Sequence, residues 1–338
     1  MIARAVLKEP RSKLGLYFAE PKALEFTSSG CTMFDLALGG GWAERRVSNV
    51  VGDRSTGKTL IAIEAATNFA RKYMDGNIKY METEAAFDAD YASALGLPLE
   101  RIDFGDGQHN PEEAPKLETV EDLFEDLTYT IDQANEPTLY IVDSLDALSD
   151  RAEQKRALDK GTYGMAKPKI LSEMFRRLTA RMANKNVTMM VVSQVRSNIT
   201  TVPFAKAWVR SGGKALDFYS SQVVYLAQTG LVKREIKKVI RPTGLKVLAK
   251  LDKNKCALPF RQAEFEVTFG YGIDSHKASV AWLDKHAPKS AFNDITPAAA
   301  LAAMREGNRD VIDMVTNAVT KHWYEIERSF LPTRGKYS

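Results

Sequence analysis

Apolar positions along the chain follow two rhythms. Short apolar runs at Val47–Val51, Ile78–Glu82, Thr138–Asp143 and Thr188–Val192 have the length of buried strands, and two of them end on an acid. Between them, apolar residues recur at helical spacing from Thr59 to Tyr73, through Val120–Gln133 (Leu123, Phe124, Leu127 and Ile131, with Thr119 as N-cap) and over Pro168–Asn184. Strands alternating with helices predict an α/β core with a mostly parallel, twisted sheet. Further strands are expected at Gln222–Gln228, Lys246–Lys253 and Glu264–Phe269, the last alternating through Phe265, Val267 and Phe269.

After Gly272 the strand signal stops. Ala278–His286, Pro297–Glu306 and Asp310–Phe330 read as helices, the last with Val311, Val315, Val319, Trp323, Ile326 and Phe330 on one face. At the other end, residues 1–27 form a basic arm broken by Pro10 and Pro21, followed by a short helix at Cys31–Leu38 that stops at Gly39–Gly41. Three parts are therefore expected: an N-terminal arm (1–27, a protomer contact), an α/β core (28–272) and a small helical C-terminal lobe (273–338). Gly105–Lys116 and Val195–Gly213 show no period and read as loops; the second is long enough to suggest function.

Composition narrows the class. With 338 residues, 44% hydrophobic and 27% charged, the chain is long enough to bury a large core. It contains no apolar run of membrane-span length and no secretory pattern at its start. Cys31 and Cys256 make no motif and the four histidines lack metal-ligand spacing, so zinc is excluded and a reducing cytoplasm is expected. Net charge is +4, but it is unevenly spread. From Arg151 to Arg181 nine Lys/Arg face three acids, and Val195–Lys214 holds four basic residues and no acid. Two adjacent basic segments suit a polyanion groove better than a solvated helix face.

The first strand runs into Gly52-Asp53-Arg54-Ser55-Thr56-Gly57-Lys58-Thr59-Leu60, and a helix follows. This is the strand–loop–helix context that a phosphate-binding P-loop requires. Backbone N–H groups of such a loop cradle phosphate oxygens, Lys58 supplies a point charge, Thr59 can ligate Mg²⁺, and the helix start favours the anion. Asp143, ending a strand 85 positions after Lys58, fits the role of holding Mg²⁺ through water. Glu84 could orient or deprotonate water, and Gln194 is placed like a γ-phosphate sensor. A solvated strand cap is the plain alternative for any one of them. Their shared position at strand C-termini favours a ligand site.

On these residues the sequence resembles the RecA-type homologous recombinases, in a phage-borne or divergent form, from about Phe26 to Gly272. Thr83–Gly96 is similar to the block carrying the family's catalytic glutamate, which implies Glu84 as catalytic, Asp88 on the base and Tyr91 stacked on adenine. Ile141-Val-Asp143-Ser144 resembles its Walker B strand, and Val192-Ser-Gln194-Val-Arg196 the strand end joining γ-phosphate to a DNA loop. Gly212-Gly213-Lys214 through Tyr219 resembles the helix closing that loop. Lys253-Asn254-Lys255 resembles the pair that reaches a neighbour's ATP.

The resemblance implies a RecA-type P-loop ATPase core using ATP and Mg²⁺. Lys169, Arg176, Arg196, Arg210 and Lys214 become DNA-phosphate candidates, with Gly212 and Gly213 as backbone donors and Phe204 as an apolar wedge. The expected activity is DNA-dependent ATP hydrolysis in a helical homo-oligomeric filament on single-stranded DNA, pairing it with homologous duplex DNA. The expected place is the cytoplasm of a bacterial or phage-infected cell, with single-strand-binding and loader proteins as further partners. A RecA-like accessory ATPase that regulates a recombinase without exchanging strands is the alternative. The short N-terminal arm, and Asp217 where the bacterial proteins usually carry a basic residue, keep it open.

Overall fold

The computed structural model describes residues 24–84, 87–155, 166–197, 208–210 and 213–334. In chain order the first half holds β1 (Phe26–Thr27), α1 (Thr32–Leu38), β2 (Trp42–Ala43), β3 (Val47–Gly52), α2 (Lys58–Lys72), β4 (Asn77–Glu82), α3 (Ala89–Ala94), β5 (Ile102–Asp103), α4 (Val120–Gln133) and β6 (Thr138–Asp143). Then come α5 (Arg151–Gln154), α6 (Ala166–Asn184), β7 (Val187–Ser197), β8 (Trp208–Arg210), α7 (Gly213–Tyr219), β9 (Gln222–Ile236), β10 (Val239–Asn254), β11 (Gln262–Thr268) and β12 (Gly272–Ile273). Three helices close the chain: α8 (Ser275–His286), α9 (Pro297–Arg305) and α10 (Arg309–Ser329).

One large sheet runs β12-β11-β10-β9-β3-β7-β6-β4-β5, with β8 paired to β7. Every pair from β9 to β5 is parallel, and β10, β11 and β12 extend it antiparallel. Strands β3 and β6 are buried at every position, as a sheet covered on both faces demands. One face is covered by α1 and α2, and their core is continuous with Leu283, Val315, Val319 and Trp323 of the C-terminal helices. The other face is covered by α4, α6 and α7. The predicted α/β class with a mostly parallel sheet is the observed one.

Local chemistry fixes the edges of these elements. Thr119 accepts from the Asp122 amide at 3.1 Å while Asp122 accepts from the Thr119 amide at 3.0 Å, a capping box that starts α4. Gly272 sits at φ 96°, and a Cβ there would lie 2.5 Å from Glu64 Oε1. The β11–β12 turn can therefore approach α2 only without a side chain.

Three expectations change. Val195–Gly213 is not loop throughout: β7 continues to Ser197, and Val195, Arg196 and Ser197 pair antiparallel with Arg210, Val209 and Trp208. Each strand piece is short and its partner distant in sequence, so no local period announced it. Strands β9 and β10 extend well past the expected ends at Gln228 and Lys246 to meet at Lys237-Lys238, both with φ near 50–70° (48° and 66°). A two-residue turn with both residues at positive φ normally uses Asn-Gly; two lysines gave no such signal. Residues 233–242 of this ribbon are all exposed, so hydrophobic alternation was absent too. Finally, Phe330 is 81% exposed rather than on the buried face of α10, whose buried residues are Val315, Val319 and Trp323. Most of the proposed arm, residues 1–23, lies outside the described residues, as do Phe204 and Gly212.

Candidate active site

The P-loop joins the end of β3 to the start of α2. Asp53 braces it, accepting from the Arg54 amide at 2.7 Å through its carboxylate and from the Thr56 hydroxyl at 2.9 Å through its carbonyl. Ser55 takes φ 56° and Gly57 φ 89°, so the chain curls with its amides turned inward. Gly57 is the N-cap of α2 and offers no side-chain acceptor. The amides of Lys58, Thr59 and Leu60 therefore have no intrahelical acceptor, which makes the helix start an anion seat. Lys58 Nζ donates to the Asp53 carbonyl at 2.7 Å. Burial pulls its pKa down, opposed by the charges of Asp143, Glu84, Asp146 and Asp53.

Asp143 is buried at the end of β6 and accepts from the Tyr80 hydroxyl at 2.8 Å. Burial pushes its carboxyl upward, Thr59 and Tyr80 hydrogen bonds pull it down, and the nearby Glu84 and Glu82 charges raise it again. A carboxylate kept in this acidic, buried setting is suited to a cation. Among the described residues no cluster of three or more His, Cys, Asp or Glu side chains could hold a metal alone. The oxygen set here, Thr59 and Asp143 with room for water and phosphate oxygens, fits Mg²⁺, which binds few protein ligands. Thr59, Glu82, Glu84, Phe87 and Asp143 line one small pocket.

Glu84 stands on the rim of that pocket, two residues past β4, with its amide donating to Glu82 Oε1 at 2.8 Å. Its Oε1 accepts from the Ser144 hydroxyl and from Gln194 Nε2, the latter at 2.9 Å. Thr83 clamps the same corner: its hydroxyl donates to the Ser144 carbonyl at 2.7 Å and accepts from the Ser144 amide at 2.9 Å. Glu84, Asp143, Ser144, Lys58 and Gln194 thus converge from β4, β6, α2 and β7. Thr83 falls within the block noted in the sequence but had no role there, since a threonine after a strand has no signature of its own.

At the other end, Asp88 caps α3 by accepting from the Tyr91 amide at 2.8 Å. The Tyr91 phenol has a raised pKa from burial, then from the charges of Glu64 and Asp88. Glu64, on α2, accepts from the Ile273 amide at 3.3 Å. This brings the β11–β12 turn, with exposed Phe269 and Tyr271, to the side of the P-loop helix where α3 lies. Sequence reading did not connect these aromatics to the site because roughly 200 residues separate them from α2.

Lys253 and Lys255 are not with this group. Asn254 pairs with Gln222, which pairs with Ser48 at the start of β3, whereas the P-loop leaves from Gly52 at its far end. Strand rise alone separates those levels by about 13 Å. Instead, Lys253 Nζ donates to the Asp217 carbonyl and to that of Phe218 at 2.9 Å, and Lys255 Nζ to Phe218 O at 3.3 Å. Both lysines therefore hold the C-terminal end of α7, where the exposed Phe218 ring lies 5.8 Å from the Lys255 ammonium.

Of the basic candidates, Lys169 and Arg176 are exposed on α6. The backbone sets Arg196 opposite Val209 and Arg210 opposite Val195 on the β7–β8 ribbon, with Gly213 and Lys214 opening α7. The basic run is less free than its count suggested. Arg151 pairs with Asp122 at 2.7 Å and Glu125 at 2.9 Å, Arg177 with Glu173, and Arg181 with Asp132.

A parallel sheet whose first strand turns through a glycine loop into a helix, with acids at the neighbouring strand ends, defines a P-loop nucleotide-binding core. The RecA N-terminal domain matches residues 7–274. The chain is 32% identical over 257 residues to the protein RecA of Trichodesmium erythraeum, covering 75% of this chain and 65% of that protein. It is 30% identical over 306 residues to that of Nitratiruptor sp., covering 87% and 82%, and 32% identical over 260 residues to that of Campylobacter lari, covering 75% and 69%. The chain thus spans just under two thirds of the Trichodesmium relative. It belongs to the RecA family.

Proposed function

We propose that this protein is an ATP-dependent DNA recombinase. In this reading it assembles as a helical filament on single-stranded DNA, hydrolyses ATP with Mg²⁺, and pairs the strand with homologous duplex DNA. The observation that carries the proposal is the hydrogen bond between Glu84 and Gln194. It joins the phosphate pocket to the strand that enters the basic segment at 196–214.

Lys58 and the amides at the start of α2 bind the phosphates, while Thr59 and Asp143 hold the cation. Mg²⁺, when bound, neutralises charge on the phosphate oxygens. Glu84 positions the attacking water and takes its proton, and Ser144 and Gln194 fix that carboxylate in place. Gln194, on leaving Glu84 for a phosphate, changes the end of β7 and with it the DNA segment. Lys253 and Lys255, too far from their own P-loop, are supplied to the ATP of the next subunit, so nucleotide joins protomers.

Duplex DNA has a surface to meet as well. The exposed β9–β10 ribbon carries Lys233, Arg234, Lys237, Lys238 and Arg241 against one acid, Glu235. A ribbon of this width fits a major groove, and its cations suit phosphates.

The deciding experiment is ATP-dependent strand exchange between a single strand and homologous duplex, with Lys58→Ala as control. Joint molecules formed only by the unaltered protein support the proposal. Hydrolysis and filaments without joint molecules would reject it in favour of a regulatory ATPase.

A further inference from the structure

The last paired residues of β6 and β7 are Val142 and Val191, after which β6 ends and the chain turns away. Strand β7 nevertheless runs on to Ser197. Its ladder is continued by two groups from the turn: the Leu145 amide donates to Val192 O at 3.0 Å, and Asp146 Oδ2 accepts from the Gln194 amide at 2.7 Å. Lys167 fixes that turn, its Nζ donating to the carbonyls of Leu145 at 2.8 Å and Leu148 at 2.5 Å. On its other edge Gln194 is paired with Gly52, the first glycine of the P-loop.

From this arrangement we infer that Asp146 is the positioning residue for Gln194, and that it makes the phosphate state of the pocket legible to the DNA segment. The inference rests on the proposed function above. Gln194 is gripped three ways: by Gly52 along one edge, by Asp146 along the other, and through its side chain by Glu84. The side-chain bond is the exchangeable one, because a phosphate oxygen can replace the carboxylate as acceptor. With the main chain pinned at Gln194, a change of side-chain partner is passed to Val195–Ser197 and the paired β8. Without the pin, the strand end absorbs it. The charge of Asp146 also acts on Lys58, so the pin lies near the phosphate seat. A side-chain acceptor is required here because β6 has already ended and offers no carbonyl on that edge.

The test compares Asp146→Ala, which removes the acceptor, with Asp146→Asn, which keeps an acceptor oxygen and removes the charge. The measurement is the ratio of ATP turnover with and without oligo-dT, alongside the affinity for a fluorescent ATP analogue and the thermal midpoint. Expected is a ratio lowered about tenfold in Asp146→Ala and changed by less than about twofold in Asp146→Asn, with nucleotide affinity near that of the unaltered protein in both. An unchanged ratio in Asp146→Ala overturns the inference, and so does an equal loss in both variants, which would assign the effect to charge. An Asp146→Ala protein that fails to fold also overturns it, since Asp146 would then be a structural brace. An unaltered protein whose turnover DNA does not stimulate overturns the functional reading together with the inference.

Discussion

Gln194 donates its side-chain amide to Glu84 Oε1 at 2.9 Å, across a sequence separation of 110 residues. One partner stands two residues past β4 and the other near the end of β7, and β6 lies between those strands. The bond therefore spans the C-terminal end of β6, which carries Asp143. Two side chains that meet here can compete for one ligand.

Glu84→Gln tests the chemical half of that relationship. Glutamine keeps the size and an acceptor oxygen for Ser144 and Gln194, but it cannot take a proton from water. ATP turnover should fall by about 10²-fold or more, in line with the loss of a general base, while nucleotide affinity changes little. Single-turnover hydrolysis with a parallel binding titration separates the two. Undiminished turnover would remove Glu84 from the role of base.

Replacing Lys253 and Lys255 together by alanine tests whether the site is shared between subunits. In the folded chain these lysines hold carbonyls at the end of α7 through bonds at or near the surface, each worth on the order of 1–2 kcal/mol. The monomer should stay folded, with a small loss in thermal midpoint, while ATP-dependent assembly disappears. Sedimentation with and without ATP reads this directly. Assembly that still responds to ATP would refute the contact in trans.

How much of this was legible in the sequence depends on how local the cause is. Val47–Gly52 and Thr138–Asp143 are buried along their whole length, so their apolar runs announced them, and Thr119, legible as an N-cap, marked the start of α4 to the residue. Glu84, Asp143 and Gln194 could be picked out because strand ends are where such sheets bind ligands. Their mutual geometry could not, nor could the place of Thr83, Asp146 or Phe269, because each depends on which strands lie side by side. The β9–β10 ribbon escaped for the opposite reason. Its exposed tip packs against nothing that would impose a pattern, and its turn uses lysines where Asn-Gly would be conventional.

That ribbon supplies a third test. Changing Lys233, Arg234, Lys237 and Lys238 to glutamine removes four cations from a fully exposed segment, with little cost to the fold. Duplex affinity should fall, and the slope of log K against log salt should become shallower by about 0.9 for each phosphate that the ribbon no longer neutralises. Single-strand affinity should be almost unchanged. Equal duplex affinity and slope in the two proteins would exclude the ribbon from binding DNA.

The C-terminal helices pose the last question, whether they form a separate lobe or part of the core. Trp323 of α10 is 7% exposed and packs 5.6 Å from Trp282 of α8, and Arg261, just before β11, donates through Nε to Glu327 at 2.7 Å. The same apolar cluster continues through Val315 and Val319 to Phe34 and Phe265. Cutting Trp323 to alanine should therefore cost about 3–5 kcal/mol and lower the stability of the sheet as well as of α10. Phe330→Ala is the control, since that ring is 81% exposed and should cost less than about 0.5 kcal/mol. Denaturant unfolding followed by far-UV circular dichroism and by tryptophan fluorescence should give one coincident transition for the unaltered protein. In Trp323→Ala, hydrogen exchange of β11 amides should accelerate with those of α10. Separate transitions, or β11 amides left as protected as before, would mean that the helices fold as an independent unit docked on the ATPase core.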